Sequence, residues 1–249
     1  MLILYNTPHS TCSQKVRMCL AEKDLTWEDK FIDLATNEHL TPEYLKINPN
    51  GVVPTLVHEN RLVHDSSVIC EYLDDVFPDT PLSPKDPHAR AEMRAWMRFH
   101  EEVPTIAVRT PSFNMAFLPR FQGLDEQQFH DQQSDIRPLR KQFYRRMGAK
   151  GFNREDFEAA LEQITNTCRR MDRALENSPW LVEDTYTLAD IIVAPLIDRM
   201  EDLGFAELWE SDFPAMTDWF ARIKKRPAFQ TALYEGCRLS EKHTLAQGL

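Results

Sequence analysis

A proline standing at the head of a strand constrains this chain more than any other single feature. Asn50-Gly51-Val52-Val53-Pro54-Thr55-Leu56 reads as a turn running into an apolar strand, and Asp65-Ser66-Ser67 soon afterwards opens an apolar helix pattern. Proline has no N–H to give to a ladder, so Pro54 belongs at a strand's first residue or on an edge. A tight turn into a strand is also where a cis X–Pro bond is found. A cis bond turns the N–H and C=O of Val53 outward, free to pair with an extended peptide. A trans Pro54 that merely starts an edge strand is the other reading, and the segment by itself admits both.

Around this segment, residues 1–80 alternate between strand and helix patterns. Leu2 to Tyr5 reads as a strand and Cys12 to Lys23 as a helix with Val16, Cys19 and Leu20 on one face. Trp27 to Leu34 reads as a second strand, and Pro42 to Leu45 as a short helical turn. Thr55 to Val57 and Arg61 to Val63 make a hairpin joined by Glu59-Asn60, and Ser66 to Phe77 a helix with Val68, Ile69, Tyr72, Leu73 and Val76 at helical spacing. The order βαβ then ββα points to an α/β unit with a mixed four-stranded sheet backed by helices. The proline-rich stretch after Asp79 breaks the pattern, so residues 81–88 are expected to link two domains. From 89 to 249 the pattern is all-helical, with helices expected over Ala89–Val103, Gln127–Met147, Asp156–Leu175, Leu188–Leu203 and Phe213–Lys225.

Composition narrows the functional class. A net charge of −10 argues against a general binder of nucleic acid or of anionic membrane, although a local basic pocket is invisible in a sum. The opening residues carry no charged n-region or cleavage site, and no apolar run approaches the ~20 residues needed to span a bilayer. The five cysteines are scattered, without a CxxC pair, which fits a reducing cytoplasm. No metal-ligand spacing is present, so no metal is expected.

The chemistry concentrates where Asn6-Thr7-Pro8-His9-Ser10-Thr11-Cys12-Ser13 leads from the first strand into the first helix. A hydroxyl or thiol there sits where unpaired N–H groups and the positive end of the helix dipole stabilise negative charge. Such a group can hold an anion or become one. Capping is the commoner role of Ser, Thr and Asn at a helix start.

Ser10-Thr11-Cys12-Ser13-Gln14-Lys15-Val16-Arg17, the Val-Pro-Thr-Leu segment and the Asp65-Ser66-Ser67 helix start, at their spacing, together resemble the glutathione transferase superfamily. The likeness covers nearly the whole chain. The first run is similar to the Ser-Ser-Cys-Ser motif of the zeta class, and His39-Leu40 ahead of Asn48-Pro49 to the theta class. Val68 to Pro78, Arg90 to Arg94 and the insert ending Arg145 to Phe152 are similar to the bacterial glutathione-dependent β-etherases.

The resemblance implies a thioredoxin-like N-terminal domain with a cis-proline at Pro54, and an all-α C-terminal domain. It implies that Val53 pairs its backbone with the cysteinyl part of glutathione. Asp65 and Ser66 would hold the γ-glutamyl end, and His39 the glycyl carboxylate. Val52 departs from the Gln or Lys common in the family, so one side-chain contact to glutathione is missing. The chemical task is then to make a thiolate. Lowering a thiol from about 8.5 by two units needs roughly 2.7 kcal/mol, within reach of one charge-assisted hydrogen bond plus a helix N-terminus. Ser10 aligns with the hydroxyl that zeta and theta members use. Ser13 is its rival, and Cys12 corresponds to the cysteine through which beta-class members form mixed disulfides. Tyr5 belongs to the first strand and packs inward.

In the helical half, Thr187-Leu188-Ala189-Asp190 is a capping box, so the buried Asp190 is expected to be structural, and Pro195 is expected to kink the helix that follows. A pocket for the second substrate is expected between the domains, with Trp96, His100, Phe113, Met115 and Phe117 as candidate lining residues. Core packing is the commoner role for Trp96, and a satisfied or exposed histidine for His100. Arg137 to Arg146 could meet an acidic substrate, although a solvated helix face is the commoner role of such a run. The expected protein is a cytoplasmic, homodimeric transferase that turns glutathione on a hydrophobic electrophile, with aryl ether cleavage as a specific version. Thiol-disulfide exchange through Cys12 and a non-catalytic glutathione-fold binding protein are the alternatives.

Overall fold

Alternation along β1 (Leu2–Asn6) turns Leu2 and Leu4 to one face, where both are buried with Leu56 of β3 (Thr55–His58). Two helices cover that face. The α1 helix (Thr11–Glu22) contributes Val16, Met18, Cys19 and Leu20, and α3 (Ser66–Val76) contributes Ile69, Cys70 and Leu73, all fully buried. Each such aliphatic side chain contributes about 1.5–3 kcal/mol of burial. The sheet order is β2-β1-β3-β4, with β2 (Glu28–Phe31) parallel to β1 and β4 (Arg61–His64) antiparallel to β3. On the other face α2 (Pro42–Ile47) packs Tyr44 against Ile32 and Val53, and Tyr5 lies edge-on to Tyr44 at 6.2 Å. The computed structural model describes residues 1–246.

The hairpin turns at Glu59 and Asn60, both at positive φ (50° and 63°), the requirement of a type I′ turn. The second strand is shorter than the expected Trp27–Leu34 and all four of its residues are exposed. It is an edge strand pairing only with the five-residue β1, so the chain leaves the sheet at Ile32 and loops over toward the start of α1.

The helical part begins with α4 (Pro87–Glu102), where Asp86 caps Ala89 N at 2.8 Å and Pro87 occupies the first turn. It continues through the short α5 (Pro104–Ala107) and α6 (Arg109–Ser112) into a π-helical turn, Phe113–Phe117. The expected single helix Gln127–Met147 is instead α7 (Glu126–Phe129), a π-helical turn His130–Ser134, an irregular stretch, and α8 (Lys141–Met147). Pro138 explains the break, because it has no N–H for Ser134 C=O and its ring clashes there. Folding back lets Phe129, Tyr144 and Met147 build a small core with Phe121 and Phe152.

Long α9 (Arg154–Leu175) then packs with α11 (Pro214–Lys224), α10 (Leu188–Asp202), whose residues are almost all buried, lies against α1 and α4, and α12 (Pro227–Ala232) packs on α1. Asp190 closes the capping box of α10 by accepting from Thr187 N at 3.0 Å. Its other oxygen accepts from Leu181 N and from Trp219 Nε1 at 2.9 Å. Pro195 lies inside α10, and the helix runs through it from Leu188 to Asp202. Among the described residues no helix is long and apolar enough to cross a membrane.

Candidate active site

The turn from β1 into α1 is held from below by buried cations. Arg17 donates to Asn6 Oδ1 at 2.7 Å, Pro8 O at 2.8 Å and Ala232 O at 3.0 Å, so it ties the turn to α12. Lys15 Nζ bonds Glu101 Oε1 at 2.6 Å and Thr105 Oγ1 at 3.1 Å, tying α1 to α4 and α5. Burial acts to lower the Lys15 pKa, but Glu101 outweighs it and the net direction is up.

Above this base lies a cavity of about 220 Å³ between the sheet and the helical part. Ser10, Cys12, His39 and Val53 line it, with Phe113 and Phe117 on the opposite side. Ser10 is the N-cap of α1. Its Oγ accepts from Ser13 N at 3.2 Å, which leaves its own O–H free to donate toward the cavity. The Val53–Pro54 bond is cis, and the Val53 main chain forms no hydrogen bond with the described residues. Val52 also lines the cavity, with its carbonyl accepting from Tyr44 Oη at 2.8 Å and Asn48 Nδ2 at 2.9 Å.

Other expected site residues lie elsewhere. Ser13 is fully buried and its Oγ accepts from Thr7 N at 3.4 Å, so it braces the turn and does not face the cavity. Trp96 and His100 are buried and stacked on each other, ring centroids 5.3 Å apart. They lie on the buried face of α4, where the Arg170 guanidinium of α9 stands 4.9 Å from the Trp96 ring, so protein covers that face. Met115 points into the main core. Asp65 and Ser66 sit outside the cavity lining, with Asp65 capping α3 through bonds from Ser67 N at 3.0 Å and Val68 N at 3.3 Å. Pro54 is buried just below Val53.

Among the described residues five arginines line the cavity, Arg109, Arg120, Arg137, Arg140 and Arg199, against one carboxylate, Asp33. Of these the sequence singled out only the stretch holding Arg137 and Arg140. Arg199 carried a usable signal, a cation inside the most apolar helix. Arg137 stacks over Tyr144 at 4.0 Å and donates to Asn37 Oδ1 at 3.0 Å, holding the β2 loop under the insert. His39 is held down to about 4 by burial, then by Arg137 and Arg140, and His9 to about 4 by burial, then by Lys242 and Arg199. Both imidazoles are therefore neutral at physiological pH. Gly51, also at the cavity, has φ +58°, and a Cβ there would meet Leu40 Cδ2 at 2.8 Å.

The glutathione S-transferase N-terminal domain pattern matches residues 9–76 and the C-terminal domain pattern residues 133–227. Protein LigF of Sphingobium sp. (strain NBRC 103272 / SYK-6) is 31% identical over 235 residues, covering 92% of this chain and 91% of its own. This chain belongs to the glutathione S-transferase family. The crystal structure of the β-etherase LigF superposes on this transferase with a TM-score of 0.82, covering 93% of this chain and 98% of that one. The tetrachloro-p-hydroquinone reductive dehalogenase of Sphingobium chlorophenolicum is 25% identical over 92% of this transferase and 94% of its own length. The transferase thus takes glutathione as its substrate.

Proposed function

We propose that Ser10 activates the thiol of glutathione for attack on an aromatic electrophile. In this reading the tripeptide docks along Val53, with its γ-glutamyl end toward Asp65 and Ser66 and its glycyl end toward His39. The observation that carries it is the Ser10 hydroxyl, which spends its acceptor on Ser13 N–H and keeps its donor for the cavity. Accepting that N–H polarises the hydroxyl and strengthens the bond it donates to a thiolate. The positive end of α1 adds to the same effect.

The electrophile sits against Phe113 and Phe117, whose rings are 5.1 Å apart, edge to face. We read the reaction as aryl ether cleavage: the thiolate sulfur forms a bond to the carbon bearing the ether. The C–O bond breaks, and the aryl oxygen leaves with the electron pair. The likeness to the β-etherase supports this version. The protein would work as a cytoplasmic homodimer, with residues 1–80 holding glutathione, 81–88 as linker and 89–249 holding the electrophile.

Single variants Ser10→Ala, Ser13→Ala and Cys12→Ala, assayed for conjugation with glutathione, test the assignment. Loss of one charge-assisted hydrogen bond predicts a fall of about tenfold to a hundredfold in kcat/KM for Ser10→Ala alone. Because Cys12 also lines the cavity, a second reading is thiol-disulfide exchange. A loss confined to Cys12→Ala would favour it. Glutathione binding without turnover across halogenated aromatics and aryl ethers would favour a binding protein.

A further inference from the structure

The cavity's arginines divide by whether the protein already satisfies them. Arg199 bonds the His9 carbonyl and lies 4.0 Å from Asp202. Arg137 bonds Asn37 and Gln133 and stacks on Tyr144, while Arg120 stacks over Phe117 at 4.7 Å. Arg109 and Arg140 have no hydrogen bond, ion pair or aromatic stacking partner among the described residues. Burial, followed by the nearby charge of Arg140, pushes Arg109 down to about 10. It is still charged at neutral pH.

Two unpaired guanidiniums that repel one another in a recessed site are costly unless something anionic joins them. The protein around them is acidic overall, with net charge −10, yet the one carboxylate among the described lining residues, Asp33, accepts from Ala35 N at 2.8 Å. Arg109 stands at the head of α6, the helix that runs into the aromatic turn of Phe113 and Phe117. The unfilled charge is thus placed beside the ring-binding side of the cavity.

We propose that the electrophile is an aromatic anion, its carboxylate held between Arg109 and Arg140 and its ring seated on Phe113 and Phe117. This rests on the transferase reading and sharpens it to a substrate class. A guanidinium presents a planar fork that matches a carboxylate two bonds at a time, which fixes the ring's approach to the sulfur as well as its affinity. A glycyl carboxylate of glutathione lying on the same pair is the competing occupant.

The test is calorimetric titration of the full-length protein with phenoxyacetate and with the neutral, nearly isosteric phenoxyacetamide. Both are measured with and without saturating S-methylglutathione, which cannot turn over. Charge-assisted bonding to two guanidiniums predicts that the acid binds about tenfold to a hundredfold tighter than the amide with the tripeptide present. Arg109→Met and Arg140→Met should each close most of that gap, while Arg109→Lys keeps part of it. Equal affinities of acid and amide in the unaltered protein overturn the proposal, whatever the variants do. So does a gap that survives both Met variants while their affinity for S-methylglutathione falls, since the pair then holds the tripeptide. If S-methylglutathione fails to bind the unaltered protein, the transferase site is misplaced, and the acid–amide comparison without it still decides whether the pair binds an anion.

Discussion

On the α1 side of the cavity every buried cation has an acceptor: Lys15 has Glu101 and Thr105, and Arg17 has Asn6 and three main-chain carbonyls. On the α6 and insert side, Arg109 and Arg140 have none among the described residues. The first wall is made of a strand, a long helix and a capped turn whose hydrogen bonds are closed within the protein. The second is made of four-residue helices, two π-helical turns and a proline break. Closed bonding makes a rigid platform suited to an invariant partner such as the tripeptide, while open charges on short segments leave selectivity to the ligand.

That contrast can be broken by removing partners on each side. Glu101→Ala should leave Lys15 buried without its counter-charge and cost about 3–5 kcal/mol in denaturant unfolding, since a widowed buried charge is far worse than a missing pair. A cost below about 1 kcal/mol would mean the first wall is not closed in the sense argued.

Asp190 is the same principle deeper in the fold. Burial raises its pKa from 3.8 to about 6, against the opposing bonds from Thr187, Trp219 and Leu181. The folded-state pKa is thus above the unfolded one, so the neutral form's contribution is fully present below 3.8 and is lost as pH rises toward 6. The shift corresponds to about 3 kcal/mol, and Asp190→Asn should flatten that part of the stability-against-pH curve. Asp74 slopes the other way. Burial opposes ionisation there, but Lys23 at 2.8 Å and the Leu82 N–H hold its pKa below 3.8, so its contribution fades as pH falls through that lower value.

Gly51→Ala puts a side chain at φ +58° against Leu40, and should cost about 1–3 kcal/mol in unfolding and raise KM for glutathione. On the open wall, Arg109→Met removes a charge that has no hydrogen bond or ion pair among the described residues. Unfolding should therefore change by less than about 1 kcal/mol, or move toward greater stability. A large loss would reveal a protein partner for Arg109 and erase the contrast.

Much of the sheet layer was legible because its elements announce themselves locally. Proline before a strand, Glu59-Asn60 between two apolar runs and Asp65 ahead of α3 each mark a boundary within a few residues, although the Pro54 segment alone left cis and trans open. The strand that ran long in the reading, Trp27–Leu34, did so because an edge strand's end depends on the length of its neighbour. The insert was misread for a related reason: Phe129, Tyr144 and Met147 keep helical spacing, but Pro138 and the small core they share with Phe121 make them meet across a fold. Within the site, Ser10 and Cys12 were readable from their place at the α1 start. Trp96 and His100 were offered to the cavity because periodicity shows that α4 has an apolar face without saying whether protein or a ligand lies against it.

Local chemistry, then, was enough to set the order of elements in the sheet layer and the capped turn at Ser10, since turns, caps and periodicity act over a few residues, while the resemblance of three motifs pointed to the family. Which arginines converge on one cavity, which of them are already answered, and that Ser13 faces inward while Ser10 faces out were decided only by packing. Those facts depend on groups far apart in the chain sharing one low-dielectric space, where each charge is set by what surrounds it.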